Sequence, residues 1–465
     1  MGNAESVVAQ KRLARFRPDE RPVIEKVFDR LQEAGSAGKV LTLDALKRSV
    51  RDAAPTAMTA RLFRSMRSVD TGVPAADGGG VTREQMLVFL ADVLRGTAEE
   101  RAPLVVAMAG VSQGCAVTVT QIREFLEDLI SAVVQCLIHR GQLQGWKPDR
   151  MEDSDRGVKL LAEQLCSELK CTDQQVCDIP CLENWLFRTS VPLYLEFLSM
   201  EALGICLPSR PPLVLLPPCQ DVPWRELRSI LDLPLLLFLA PQLPDTKGAP
   251  WRLLFSSRLH GESFTRLLRG CTGQGPSLLL IRDTDGYTFG GFASQSWDTR
   301  PQFQGCSREL LDVSLCVGDG RLCAHTGDSC CFLFSVSPSL RVYTCTGYNQ
   351  HYMYLNHSQQ TMPNGLGMGG QHDYFGLWLD SDYGKGHSRA RPRCTTYGSP
   401  QLSGQENFTL DALEVWGVGE PPENQQTQVK RSILDADPEA QVMMEMAGKT
   451  RHSQGLREPE EGEED

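Results

Sequence analysis

The first six residues match a signal for lipid attachment. Met1-Gly2-Asn3-Ala4-Glu5-Ser6 fits the M-G-x-x-x-[ST] pattern of N-myristoylation, in which loss of the initiator methionine exposes the Gly2 amine for acylation. A single myristoyl chain holds a protein on a membrane only marginally, so a second signal is needed. Basic residues follow, and they either attract anionic lipid or form a solvated helix face. They are Lys11, Arg12, Arg15 and Arg17. We predict that Gly2 is acylated, within a basic N-terminus over residues 1–19.

Four of the 16 cysteines are close enough in sequence to raise the question of a zinc site. They are Cys166, Cys171, Cys177 and Cys181. Four, five and three residues separate them, and no C-x2-C pair occurs among them. We favour the interpretation that these cysteines are small buried side chains on helices, and we predict no metal and no cofactor. No secretory signal is recognised at the N-terminus, so we expect reduced thiols.

The sequence contains no complete catalytic or nucleotide-binding motif. Residues 365–370 satisfy G-x-G-x-x-G, but a strand-like run follows them where the dinucleotide fingerprint requires a helix. Gly448-Lys449-Thr450 ends like a Walker loop, yet Met443 occupies the place of its first glycine. The H-E-x-x-H and G-x-S-x-G signatures are absent. We therefore predict that the protein is not an enzyme and acts by binding.

A redox role for the cysteines is the alternative. Reactive thiols need an exposed, electropositive setting, and two cysteines have an arginine nearby. They are Cys306, near Arg308, and Cys394, beside Arg393. Neither has a resolving cysteine or a base at a fixed spacing. This alternative predicts consumption of peroxide that depends on these two cysteines, whereas the binding interpretation predicts none.

Composition sets the broad class of the protein. The 465 residues include 47 lysines and arginines against 58 acidic residues, a net charge of −11, and this balance disfavours nucleic-acid binding. Hydrophobic residues make up 41% of the chain, as in ordinary globular proteins. No apolar run reaches the roughly 18–20 residues of a membrane span. The length predicts about two to four domains.

Residues 20–206 show the apolar spacing of short helices. Stripes at helical spacing occupy residues 23–31, 86–94 and 122–133. Capping-box pairs precede two of these stripes. They are Thr82 with Gln85, and Thr118 with Gln121. Short β-like pieces also precede the helices, and this rhythm resembles the EF-hand array.

Calcium binding is not expected in this helical region. An EF-hand loop needs oxygen ligands at loop positions 1, 3, 5 and 12. The frame that ends at Glu84 has only Asp77 and Glu84 as carboxylates, and the frame around Val119 has none. We therefore predict an EF-hand-like fold without functional calcium loops.

Prolines are concentrated in one segment near the middle of the chain. Six prolines lie between residues 208 and 223, and they exclude both a helix interior and a central strand. We predict a domain boundary over residues 207–244, either as a stiff linker or as an extended segment wrapped on the surface.

Residues 245–419 change to a strand-like pattern. Their apolar runs are separated by turn signals such as Asp285-Gly286 and Gly327-Asp328. Some runs alternate with polar residues and others are continuously apolar, which suits two antiparallel sheets around one core. The predicted class is α+β. It has an N-terminal all-α EF-hand-like domain, a C-terminal two-sheet antiparallel β-sandwich with flanking helices, and a C-terminal helix.

Several motifs in residues 245–419 resemble the TLDc domain. The string 254–264 looks like the opening of that domain, and the string 282–293 looks like its central motif. Further motifs follow in the family order, at 347–349, 363–370, 374–378, 398–400 and 415–418. The resemblance implies a two-sheet β-sandwich that binds the vacuolar-type proton ATPase (V-ATPase) and protects against oxidative stress.

The N-terminal acylation signal, the EF-hand-like helical region and the TLDc-like region together resemble a branch of animal TLDc proteins that is associated with mTOR and the lysosome. This resemblance implies a lipid-anchored regulator on the cytoplasmic face of the lysosomal membrane, with a further pool in the cytoplasm, that supports mTOR signalling. Contact with the mTOR complex is left open as direct or indirect.

Turn residues are the expected contacts of the TLDc-like region. Asp283, Asp285 and Tyr287 lie on one predicted turn and Ser399 lies on another. We expect these side chains to be exposed and to bind the V-ATPase. The alternative is that the two aspartates only stabilise their turn.

The residues after Gly419 predict a second contact. An apolar stripe near helical spacing predicts a helix over residues 420–452. Its contact residues for the V-ATPase, or for calmodulin, are Ile433, Met443 and Met444. The alternative is a helix docked on its own domain. Residues 453–465 are too acidic to fold.

Overall fold

Helices form the first half of the described chain and antiparallel strands form the second half. The computed structural model describes residues 7–33, 40–71, 79–111, 116–171, 175–208, 210–243, 248–304 and 330–420. The helices are α1 (Val7–Leu13), α2 (Arg21–Glu33), α3 (Leu43–Val50), α4 (Thr56–Ser68), α5 (Arg83–Arg95), α6 (Ala98–Met108), α7 (Val119–His139), α8 (Ser154–Ser167), α9 (Ile179–Arg188), α10 (Val191–Leu203), α11 (Leu233–Leu239), α12 (Ser257–His260) and α13 (Phe264–Cys271).

The strands are short before residue 250 and longer after it. They are β1 (Val117–Thr118), β2 (Val176–Cys177), β3 (Cys219–Gln220), β4 (Trp251–Ser256), β5 (Ser277–Asp283), β6 (Thr288–Ala293), β7 (Arg300–Gln304), β8 (Phe332–Ser337), β9 (Arg341–Thr344), β10 (Met353–Asn356), β11 (Gly365–Gln371), β12 (Tyr374–Asp380), β13 (Lys385–His387) and β14 (Asn407–Val418). The α+β class predicted from the sequence is confirmed.

Side-chain caps fix where two of the central helices begin. The Thr82 hydroxyl accepts the backbone N–H of Gln85, and the Gln85 side chain accepts the N–H of Thr82, so the predicted capping box is present at α5. Thr118 and Gln121 form the same box at α7. Each N-cap contributes about 1 kcal/mol to helix stability. The helix starts are therefore encoded within four residues of sequence.

Short antiparallel contacts join the loops that precede four helices. Leu41 pairs with Val81 ahead of α3 and α5. In the same way β1 pairs with β2 ahead of α7 and α9, with Val117 opposite Cys177. Paired helix–loop–helix units are what the EF-hand-like interpretation predicts. Parts of these loops lie outside the described ranges, at 34–39, 72–78, 112–115 and 172–174. The EF-hand detail and the absence of calcium sites therefore remain predictions.

Two sheets make up the second half, and one long strand belongs to both. The first sheet has the order β9-β8-β6-β5-β14-β4-β3, and the second has the order β7-β10-β11-β12-β13. Strand β14 pairs with β13 through residues 407–409 and with β5 from Leu410 onward. All of these pairs are antiparallel except β3 with β4.

Apolar side chains from both sheets fill the space between them. Leu279, Phe289 and Leu333 enter it from the first sheet, and Met368 and Leu377 enter it from the second. Each fully buried side chain of this size contributes roughly 1.5–3 kcal/mol of hydrophobic free energy. This shared interior confirms the predicted two-sheet sandwich.

The other face of the first sheet is covered by the helical region. Leu278, Leu280 and Trp416 belong to the same buried cluster as the helices. Strand β5 is therefore buried on both faces. This explains why residues 278–281 are continuously apolar instead of alternating with polar residues.

The proline-rich segment lies between the helices and the first sheet. Leu216, Leu227 and Leu231 are buried in it, and α11 at its end packs against α8. Four tryptophan rings meet at this junction, with centroid separations from 5.2 to 6.3 Å. They are Trp146, Trp224, Trp251 and Trp416.

Candidate partner-binding site

The turn between β5 and β6 carries three of the predicted contact residues. The Asp283 carboxylate accepts hydrogen bonds from the backbone N–H of Asp285 (3.1 Å) and of Tyr287 (2.8 Å), and from the Ser403 hydroxyl (2.6 Å). Asp283 is only 2% exposed. The prediction that Asp283 faces solvent is therefore wrong, because an Asx-type turn occupies its oxygens and the loop before β14 covers it.

Asp285 and Tyr287 reach the surface of the same turn. Asp285 is exposed and Tyr287 is half-buried. Gly286 adopts a φ of 84° at the tip, a conformation that glycine reaches without steric cost. The Tyr287 ring lies against Gly404, where an added Cβ would come within 2.7 Å of it. A partner can therefore contact Asp285 and the outer side of Tyr287.

Ser399 is fully buried, so the prediction that it is exposed is also wrong. Its carbonyl accepts the N–H of Cys394 at 2.8 Å, and the N–H of Gly398 donates to the Cys394 carbonyl at 2.7 Å. These two bonds close the loop 394–399 on itself. Ser399 holds the loop and does not face a partner.

The same loop supports two exposed aromatic side chains that the sequence analysis missed. Tyr348 is 79% exposed and Tyr374 is 59% exposed. Thr396 links their two loops, because its hydroxyl donates to Asn349 Oδ1 (2.7 Å) and accepts the N–H of Gly370 (2.8 Å). We call the loops 346–349 and 370–374, with both tyrosines, the tyrosine end of the sandwich. The sequence signal that could have indicated this site is an aromatic residue, Tyr348, in a turn between Gly347 and Asn349.

Comparison with known proteins identifies the sandwich and the whole chain. A family model described as the TLDc domain matches residues 225–312 and 323–419. The chain is 61% identical, over all of both chains, to the MTOR-associated protein MEAK7 of Danio rerio. It is 42% identical to the protein of that name from Homo sapiens, over 98% of this chain and 99% of that protein. The chain belongs to the MEAK7 family of TLDc proteins.

A second group of TLDc relatives is more distant. Oxidation resistance protein 1 of Bos taurus is 30% identical over 42% of this chain and 20% of its own length. The TLDc match begins at residue 225, so α11 and part of the proline-rich segment fall within the matched domain. The start of the TLDc-like region that the sequence predicts, residue 245, therefore lies after the start of the family match at residue 225.

A shallow groove of about 510 Å³ lies beside β7 in the TLDc domain. Its lining, among the described residues, is Pro301, Gln302, Phe303, Gln350, His351, Met362 and His372. The rings of Phe303 and His351 stack at 4.1 Å. These lining side chains include no carboxylate, thiol or hydroxyl to work with a histidine as nucleophile or orienting acid. The groove therefore gives no support to a hydrolytic mechanism.

The thiol of Cys394 does not have the setting of a reactive cysteine. Its side chain is buried at the start of the loop 394–399, and burial raises the pKa of the Cys394 thiol above its ordinary value. A raised pKa lowers the fraction of thiolate, which is the reactive form. Cys306, the other candidate, lies outside the described residues. No observation on Cys394 favours the redox alternative.

Two of the four basic residues near the N-terminus form ion pairs with other residues of the protein. Arg12 pairs with Asp92 at 2.9 Å and Arg15 pairs with Glu100 at 2.6 Å. The Arg15 guanidinium lowers the pKa of Glu100 to about 2. No helix among the described residues combines the length and the apolar character needed to cross a membrane. The remaining predicted contacts lie outside the described residues. They are Gly2, Ile433, Met443 and Met444.

Proposed function

We propose that this chain is a non-enzymatic, lipid-anchored regulator at the lysosomal surface. It binds the V-ATPase through the TLDc domain and supports mTOR signalling, with mTOR contact direct or through other proteins. Full-length relatives carry the name MTOR-associated protein, and this supports the mTOR link. The observation that carries the binding role is the tyrosine end, where Tyr348 is 79% exposed.

Exposed tyrosines on a braced loop suit a protein interface. Tyrosine is enriched among the residues that dominate binding energy, because it buries a large ring and keeps a polar hydroxyl. The Thr396 hydrogen bonds hold both loops in place before binding. A braced loop loses less conformational entropy when it binds. The TLDc sandwich itself has a filled interior, so its outer loops are the parts that can meet another protein.

Capture from lysosomal membranes tests this proposal. Full-length chain on beads is incubated with detergent-solubilised lysosomal membranes, and V-ATPase subunits and mTOR are quantified. Tyr348→Ser combined with Tyr374→Ser should reduce V-ATPase capture at least tenfold, since hot-spot side chains are worth about 2 kcal/mol or more each. The matched control is Phe187→Ser on α9, because Phe187 is also 79% exposed.

The double variant must keep the wild-type melting temperature for the result to count as a surface effect. Undiminished V-ATPase capture by a folded double variant would show that the tyrosine end is not the contact. Binding to purified mTOR complex in the absence of membranes separates a direct from an indirect mTOR link.

The tail after Gly419 supplies a second, detachable contact in this proposal. A chain that ends at Gly419 should bind the V-ATPase less tightly, and a peptide of residues 425–452 should bind calcium-loaded calmodulin through Ile433, Met443 and Met444. If the peptide does not bind calcium-loaded calmodulin and the truncated chain keeps its full affinity for the V-ATPase, the tail is a helix docked on its own domain and not a second contact.

A further inference from the structure

Three cysteines that come from different elements meet at the start of α9. Cys171 follows α8, Cys177 lies in β2, and Cys181 lies in the first turn of α9. Their Sγ atoms all lie within 4.8 Å of one another. Cys166, which neighbours them in sequence, is buried in α8 and does not belong to this group. We call the other three the thiol triad.

The backbone holds the thiol triad in position. The pairing of β1 with β2 places Cys177 opposite Val117. Asp178 caps α9 by accepting the N–H of Cys181 at 2.9 Å, which fixes the first turn that carries the third sulfur. Cys177 is buried, whereas Cys171 and Cys181 are half-buried. An ion from solvent can therefore reach the triad from the side of the two outer cysteines.

The distances suit a metal bound by sulfur. Cys171 and Cys177 are joined here as a disulfide with their Cα atoms 5.1 Å apart, so the expectation of reduced thiols is wrong for this pair. Reduction of the disulfide leaves two thiols beside the third. Zinc binds thiolates at about 2.3 Å in a tetrahedron, which separates neighbouring sulfurs by roughly 3.8 Å. Three sulfurs within 4.8 Å of one another need only small rotations to reach that arrangement.

The chemistry of the ligands selects a soft or borderline metal. The triad lies between the end of α8 and the first turn of α9, where an EF-hand-like unit would place oxygen ligands for calcium. Sulfur ligands favour zinc over a hard cation such as calcium. A metal ion that binds thiols displaces their protons, so these side chains can ligate zinc as thiolates.

We propose that reduced Cys171, Cys177 and Cys181 bind one Zn²⁺ ion, which leaves the fourth tetrahedral position to a water molecule. Binding releases the protons of the thiols and forms three zinc–sulfur bonds. The disulfide between Cys171 and Cys177 removes two of the three ligands, so the oxidised chain cannot hold the ion. The bound ion joins the end of α8, β2 and the start of α9.

Metal titration of the full-length chain tests this site. Chain that is reduced and stripped with chelator is exposed to Zn²⁺, and retained zinc is measured by mass spectrometry; Co²⁺ replaces Zn²⁺ in a parallel absorbance experiment. We expect one zinc per chain and a near-ultraviolet thiolate-to-cobalt band. Cys181→Ser should lower zinc affinity at least tenfold. Cys206→Ser is the matched control, because Cys206 is exposed and free, and it should bind zinc as the wild type does.

Two readouts keep the test independent of folding. The metal-free melting temperature of Cys181→Ser should match that of the metal-free wild type, and zinc should protect all three cysteines of the wild type from alkylation. Three outcomes overturn the proposal. They are no zinc retained by the reduced wild type, undiminished zinc binding by Cys181→Ser, and equal zinc binding by the chain that carries the Cys171–Cys177 disulfide.

Discussion

The buried carboxylate of Glu414 accepts a hydrogen bond from the Ser229 hydroxyl at 2.7 Å, across 185 positions of sequence. The same carboxylate accepts the backbone N–H of Ile230 at 2.9 Å and the indole N–H of Trp416 at 3.0 Å. Glu414 lies in β14, and Ser229 lies in the segment between the helices and the sandwich. Three hydrogen bonds to one buried carboxylate therefore connect the TLDc sheet to the segment that precedes it.

Glu414→Ala should destabilise the protein by about 2–4 kcal/mol, because it leaves buried donors without an acceptor. Ser229→Ala should cost about 1 kcal/mol, since the carboxylate keeps its other two donors. The double variant should lose less than the sum of the two. Urea unfolding followed by tryptophan fluorescence measures this, because the four junction tryptophans report on the contact. Asp411→Ala, on the exposed side of β14, is the control. If Glu414→Ala lowers the free energy of unfolding by less than about 0.5 kcal/mol, the Glu414 hydrogen bonds do not stabilise this junction.

Asp283 and Asp285 should respond to substitution in opposite ways. Asp283→Ala removes the acceptor of three hydrogen bonds and should cost about 2–3 kcal/mol of stability, with binding lost only as the domain unfolds. Asp285→Lys should leave the melting temperature unchanged and weaken V-ATPase capture, because the side chain is exposed at the turn tip. Asp149→Lys in the helical region is the control, since Asp149 is also well exposed. Equal melting losses for Asp283→Ala and Asp285→Lys would refute this division.

Local signals in the sequence were sufficient for the starts of α5 and α7 and for the family, but they missed α11, which lies within the predicted linker. The capping pair Thr82–Gln85 spans four residues, so its geometry follows from the sequence alone. The burial of Asp283 could not be predicted in this way, because its third donor, Ser403, is 120 positions away. The thiol triad shows the same limit, because spacing grouped four cysteines, whereas the positions of the sulfur atoms in the fold bring Cys171, Cys177 and Cys181 together and leave out Cys166.

Gly2→Ala should move the protein from membranes to the soluble fraction. With Arg12 and Arg15 in ion pairs, only Lys11 and Arg17 of the basic cluster remain for anionic lipid. Each basic residue near a membrane surface contributes about 1 kcal/mol, so Lys11→Glu with Arg17→Glu should weaken membrane binding less than loss of the acyl chain does. Fractionation of cells that express each variant measures this, with the wild type as reference. An unchanged membrane fraction for Gly2→Ala would rule out the anchor.

Asp232 should make stability depend on pH. Its carboxylate caps α11 by accepting the N–H of Leu235 at 2.7 Å, and burial raises the pKa of Asp232 from 3.8 to about 7. A folded-state pKa above the unfolded value means that the folded chain holds the proton more tightly. The resulting stability is fully present below about pH 4 and is lost as the pH rises towards about 7.

Asp232→Asn keeps an acceptor for the cap and cannot ionise. The melting temperature of the wild type should therefore fall more between pH 5 and pH 8 than that of Asp232→Asn. The free-energy difference between the two should grow by up to about 3 kcal/mol over this range, because roughly two pH units separate pH 5 from the folded-state pKa of about 7. Burial also raises the pKa of Asp92 to about 7, and this acid contributes equally to both curves, so it cancels in the comparison. Parallel melting curves across this pH range would show that Asp232 is already ionised in the folded protein.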